Sequence, residues 1–125
     1  MNGQPRHFIV VETWDTLRQL GVLARTGPYI GKALLAIVVV IDKTKFAVSD
    51  ARRAIQLMIL TAWSEGIGSN WVGFLGLDDV KSLLNIPADR DVLAILPFGF
   101  PVEAIGQGKK QRKPLSEVTN LGRLG

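Results

Sequence analysis

The sequence predicts a single domain in which β-strands alternate with α-helices. Three observations carry this. The chain has 125 residues, 47% of them hydrophobic and 21% charged, the size and balance of one globular domain. Short apolar runs rich in Val and Ile alternate with segments whose apolar residues recur at helical spacing. Turn residues (Gly, Pro, Asn, Asp) punctuate the joins. At this length roughly two thirds of the unfolded surface can be buried, so a core forms without disulfides or structural metal.

Taken in order, Phe8-Ile9-Val10-Val11 is a short β-branched run that reads as a strand. Thr13 to Ala24 follows as a helix, with Trp14, Leu17, Leu20 (or Gly21) and Ala24 on its apolar stripe. Arg25 to Lys32, with Gly27-Pro28 and Gly31, is a turn-rich connection. It leads into Leu34 to Ile41, whose unbroken Leu, Ala, Ile and Val suit a central strand covered on both faces. Ser49 or Asp50 can cap the next helix, which runs to Glu65 and stops at Gly66, a good left-handed position. Ser69 to Phe74 is extended, Asp78 to Leu84 a short helix with acids in its first turn, and Ile86-Pro87 ends it. Val92 to Phe98 reads as another buried strand. From Gly106 the composition turns to Gly, Gln, Lys and Arg, giving an exposed basic segment, 106–125, that carries one short apolar run, Leu115 to Val118.

The helix ending at Glu65 is unusual. Ala51, Ala54, Ile55, Met58 and Ala62 make one apolar stripe, but Leu57, Ile59, Leu60 and Trp63 fill much of the remaining wheel. Either a second layer of the same chain covers it or it meets another subunit, and the second reading fits so small a protein better.

Composition excludes several chemistries. With no cysteine there is no thiolate zinc site, CxxC redox centre or cysteine nucleophile, and with one histidine, His7, there is no multi-histidine metal centre. No GxSxG segment presents a serine beside that imidazole. The net charge of +4 is local. Up to residue 103 the basic and acidic residues balance, and the excess lies in Lys109, Lys110, Arg112, Lys113 and Arg123 against Glu117 alone. Such a cluster on a neutral body suits a small anionic group rather than a nucleic-acid backbone. The longest apolar run, Ala33 to Ile41, is too short to span a bilayer, so the expectation is a cytoplasmic protein without membrane or nucleic-acid partners.

Three constellations could hold a ligand. The carboxamides of Asn2 and Gln4, in Asn2-Gly3-Gln4-Pro5, can donate and accept as a planar heterocycle requires. The turn Gly66-Ile67-Gly68-Ser69-Asn70-Trp71-Val72-Gly73-Phe74 lets backbone groups approach a ligand. Lys109-Lys110-Gln111-Arg112-Lys113-Pro114 can hold a phosphate by a point charge and a guanidinium fork. Each also has a plain alternative: a polar turn, a helix stop and a solvated charge run.

In their order these segments resemble the FMN-dependent nitroreductase family. Asn2-Gly3-Gln4-Pro5-Arg6-His7-Phe8-Ile9-Val10 is similar to that family's Asn-x-Gln-Pro-Trp-x-Phe-x-Val segment, with Arg6 in place of the usual tryptophan. Ala62 to Phe74 resembles the end of its central helix and the glycine-rich turn after it. Leu96-Pro97-Phe98-Gly99-Phe100-Pro101 and Lys110 to Val118 resemble its closing pattern.

The resemblance implies an α+β fold, a three-layer α/β/α sandwich around a mixed, mainly antiparallel sheet, filled by residues 1–125 as a partial domain. The family's amino-terminal helices, with their Arg-rich phosphate motif, are not represented, so the domain is expected to be amino-terminally truncated. It implies a homodimer with FMN at the subunit interface, NADH or NADPH as donor, and nitroaromatics, quinones or similar small-molecule electron acceptors as substrates. Asn2 and Gln4 would meet the flavin ring, the Val72-Gly73 backbone its edge and face, and Lys110 and Arg112 the phosphate. No side chain need be catalytic, because the flavin carries the chemistry, and no metal is expected. The alternative is an inactive nitroreductase-fold remnant that only dimerises or binds another chain. His7, where the family often has histidine, is expected to pack structurally rather than to orient a substrate.

Overall fold

The computed structural model describes residues 3–73, 77–104, 106 and 108–125. Four strands, β1 (Arg6–Val11), β2 (Leu35–Asp42), β3 (Gly68–Ser69) and β4 (Arg90–Gly99), form one sheet in the order β1-β2-β4-β3. Every pairing among the described residues is antiparallel. β2 is an inner strand, as its unbroken apolar run predicts.

Helices lie on both faces. α1 (Trp14–Leu23), a 3-10 helix (Pro28–Lys32) and α3 (Leu77–Leu83) supply one outer layer, and α2 (Ala47–Ser64) supplies the other. Successive strand residues point to opposite faces, so β2 feeds both. Ala36, Val38 and Val40 join Leu17, Leu20, Ala24, Ile30 and Val80. Val39 and Ile41 join Ala47, Ala51 and Ile55 of α2. The architecture is thus the expected three-layer sandwich.

A bulge lies in β4. The register passes from Val39↔Ala94 to Val40↔Val92 and leaves Leu93 extra. As a result Leu93 and Ala94 both serve the α2 face, while Val92 returns to the α1 face.

Several local expectations need correction. α2 begins at Ala47 with Phe46 before it and no side-chain cap, so neither Ser49 nor Asp50 caps it; Asp50 lies inside the first turn and binds Arg6 instead. The left-handed stop does form, with Gly66 at φ 78°. Trp14 is 64% exposed rather than on the buried stripe, its ring lying 4.5 Å from the Arg18 guanidinium carbon. His7 is exposed in β1 and is not packed. The extended stretch expected from Ser69 shrinks to β3 and a single bridge at Val72, with Phe74 outside the described residues.

α2 buries only Ala47, Ala51 and Ile55. Leu57, Leu60 and Trp63 remain exposed, so among the described residues no second layer of this chain covers that side. Beside them runs an apolar groove of about 460 Å³, lined by Leu34, Leu35, Ile37, Leu57, Met58 and Phe98 among others. The sheet edge extends it: Phe8 and Val10, opposite Val39 and Ile37 and therefore on the same face, are also exposed.

Candidate functional site

The antiparallel register fixes which ends of the strands meet. β1 starts, β2 finishes and β4 starts at one end of the sheet, where Arg6 pairs with Ile41 and Ile41 with Asp91. The chain entering β1 is held there by two contacts. The Asp42 N–H donates to the Pro5 carbonyl at 3.0 Å, and the Arg6 guanidinium donates to the Asp50 carboxylate of α2.

Gln4 lies just before this anchor. Its φ is 47°, and its carbonyl accepts the Arg6 N–H at 2.8 Å. A left-handed conformation costs a non-glycine residue roughly 1–2 kcal/mol. Such strain persists where the surroundings impose it, often beside a ligand site.

Val72 and Gly73 lie along the middle of β4 beside its bulge, because Val72 bridges Ile95, the partner of Val38. Val72 is 2% exposed and packs in the α1-side core. Its backbone is fully engaged: its N–H donates to the Ile95 carbonyl at 2.9 Å, and the Ile95 N–H donates to its carbonyl at 2.7 Å. Val72 therefore pins the turn, and Gly73 is the member of the pair that borders open space. A Cβ at Gly73 would stand 2.6 Å from Trp71 Nε1 and 3.1 Å from the Leu93 carbonyl oxygen, so a larger residue would have to displace the Trp71 ring. The adjoining segment is fixed from the other side: Asn70 Nδ2 donates to the Tyr29 hydroxyl at 2.7 Å, and the Trp71 N–H donates to Asn70 Oδ1 at 2.8 Å.

Gly73, Trp71, Leu93, Arg52 and Gln56 line a depression of about 500 Å³ between α2 and the bulge, within the size range of small-molecule sites. Its chemistry suits a planar heterocycle: an aromatic side chain, an amide that both donates and accepts, and a guanidinium for an anionic substituent. The sequence pattern did not single out Arg52 or Gln56. Their signal is an i,i+4 polar pair that interrupts the apolar wheel of α2. Leu93 was not predictable, because it enters only through the bulge.

The remaining expected site residues are placed differently. Asn2 lies outside the described residues. Lys110 and Arg112 lie on the carboxy-terminal tail, where every described residue from Pro101 onward is exposed, so within one chain the tail does not deliver them to a buried site beside Gly73. The apolar run expected at Leu115 to Val118 is a four-residue helix, α4 (Leu115–Val118), and is likewise exposed. Among the described residues no cluster of His, Cys, Asp or Glu could hold a metal ion, and no helix is long and apolar enough to cross a membrane.

Fold and sequence converge on one family. Residues 41–100 match the profile described as the Nitroreductase family. A protein of Methanothermobacter thermautotrophicus named "Putative NADH dehydrogenase/NAD(P)H nitroreductase" is 31% identical over 115 residues, covering 85% of this chain and 60% of that protein. The chain thus spans about three fifths of that relative's length. NfrA1 of B. megaterium superposes with a TM-score of 0.84 at 25% identity, over 99% of this chain and 60% of the other. An FMN-dependent nitroreductase of Clostridium difficile R20291 does so with a TM-score of 0.75 at 26% identity, over 92% and 71%. The fold and its matches define an α+β domain of the nitroreductase type; the chain belongs to the nitroreductase family.

Proposed function

We propose that this chain forms part of an FMN-dependent NAD(P)H oxidoreductase. The observation that carries this reading is the depression beside Gly73, lined by Trp71, Gln56 and Arg52, in a nitroreductase-family fold. The relatives' names, an NAD(P)H nitroreductase and an FMN-dependent nitroreductase, point the same way. When bound, FMN would supply the redox chemistry, taking a hydride from NADH or NADPH at N5 and reducing nitroaromatics, quinones or similar acceptors.

The protein's own part is positional. Gln56 and Gln4 would orient a heterocycle by donating and accepting hydrogen bonds, and Trp71 and Gly73 would give it a flat wall. Asn2 would join them at the ring. Val72 would act indirectly, by fixing Gly73 to β4. Lys110 and Arg112 would bind the phosphate.

A homodimer completes the reading. Leu57, Leu60, Trp63, Phe8 and Val10 expose a continuous apolar side that suits a second copy, and the extended tail could carry Lys110 and Arg112 to that copy's site. The second reading, a dimerising domain without catalysis, is favoured by the full exposure of this tail, which buries neither cation within its own chain. Spectra separate the two. An oxidoreductase reconstituted with FMN keeps flavin absorbance through gel filtration and is bleached by NADH or NADPH without oxygen; a remnant elutes colourless.

A further inference from the structure

A second depression, of about 600 Å³, adjoins the one beside Gly73 and shares Arg52 and Gln56 with it. Lys45, Val48, Ser49 and Arg53 complete its lining. From Gln56 back to Ser49 is seven residues of α2, about 10 Å along the helix at 1.5 Å per residue. The combined groove is therefore longer than a single ring, and its character changes along its length. Trp71, Gly73 and Leu93 make the end at the β4 bulge flat and largely apolar, and Lys45, Arg52 and Arg53 make the other end cationic.

None of these three cations forms an ion pair among the described residues. The nearest acid in sequence, Asp50, is held by Arg6. Three like charges left unpaired around one concavity repel one another, and an anion seated among them would relieve that repulsion. Arg52 is the pivotal member, because it borders both the flat end and the cationic end.

We propose that Arg52, supported by Arg53 and Lys45, is a phosphate-binding position for a ligand whose planar heterocycle lies against Trp71 and Gly73. This rests on the flavin-site reading above, and it assigns anion binding to α2 in addition to the carboxy-terminal tail. The ligand chemistry is a phosphate ester joined to a flat ring system, and both a flavin nucleotide and a pyridine dinucleotide have it.

The test is binding of FMN, riboflavin and ADP-ribose to the full chain by calorimetry, for the native protein, Arg52→Ala and Arg52→Lys. Arg52 is exposed, and matching thermal melts establish that the variants fold. The expected result is a loss of about tenfold or more for a phosphorylated ligand in Arg52→Ala, no change for riboflavin, and partial recovery in Arg52→Lys. Loss for FMN identifies the flavin phosphate as the occupant; loss for ADP-ribose alone identifies the dinucleotide. Unchanged affinity for both phosphorylated ligands, or equal loss for riboflavin and FMN with none for ADP-ribose, overturns the proposal. A folded native chain that binds no flavin refutes the flavin reading by itself. The ADP-ribose arm then still decides the role of Arg52, and failure of native protein to bind ADP-ribose as well overturns both.

Discussion

Val72 and Ile95 exchange both of their backbone hydrogen bonds, at 2.9 and 2.7 Å, outside any extended strand at Val72. Together with the β3–β4 pairing, this bridge ties the segment after α2 to the sheet and leaves Gly73 bordering the groove. The Val72 side chain is seated as firmly, because a Cβ at Gly27 would lie 2.6 Å from its Cγ2. The turn is thus clamped by backbone bonds on one side and by a glycine-sized gap on the other.

Gly27→Ala should therefore destabilise the protein by about 1–3 kcal/mol, the usual cost of overpacking a filled core. Val72→Ala removes the obstructing methyls, so the double variant should be less destabilised than the sum of the two singles. Urea denaturation of the four proteins measures this. Additive effects, or a neutral Gly27→Ala, would show that the contact is not tight.

Gly21 makes a comparable prediction within α1, on the same side of the sheet. A Cβ there would stand 2.8 Å from the Pro28 carbonyl oxygen and 3.0 Å from the Gly31 nitrogen. Both neighbours are backbone, which cannot swing aside. Gly21→Ala should lower the melting temperature despite alanine's higher helix propensity, which is worth about 0.8–1.0 kcal/mol in its favour. A stabilised variant would mean that α1 and the 3-10 helix separate freely.

Arg6→Ala and Asp50→Ala should each cost little, with a coupling of about 0.2–1 kcal/mol, because the side chains are 27% and 32% exposed. A double-mutant cycle in denaturant gives this value directly. The pair fixes where Gln4 enters, so disrupting it should affect flavin affinity more than stability. Unchanged affinity in both variants would detach the Gln4 segment from the site.

The exposed side of α2 predicts association. Leu57→Glu and Leu60→Glu place charges on an apolar surface that the described residues leave open. Sedimentation should show a dimer for the native chain and monomer for the double variant, with the cooperative melt retained. A monomeric native protein at tens of micromolar would refute the proposed interface.

The legible parts of the fold were those set by local pattern. The Val- and Ile-rich run Leu34 to Ile41 announces an inner strand, Gly66 marks the end of α2, and the over-apolar wheel of α2 announces a side that the described residues leave uncovered. The site was less legible, because its members meet through tertiary register. Leu93 joins Gly73 only because β4 carries an extra residue, and Arg52 matters only because α2 lies beside that bulge. Val72 illustrates the limit in the other direction. Pairing to Ile95 consumes the backbone groups that a ligand at Val72 would need. Ser49 and Asp50 are both good capping residues, but α2 begins before them at Ala47, so Asp50 lies inside the first turn and pairs with Arg6 instead.

The most direct test is a titration of FMN into the 125-residue chain, followed by quenching of flavin fluorescence, with molecular mass measured in the same sample. The account predicts a dimer that binds FMN with micromolar or tighter affinity. A protein that melts cooperatively yet leaves flavin fluorescence unquenched would contradict it, and would leave this chain with the family's fold but not its cofactor.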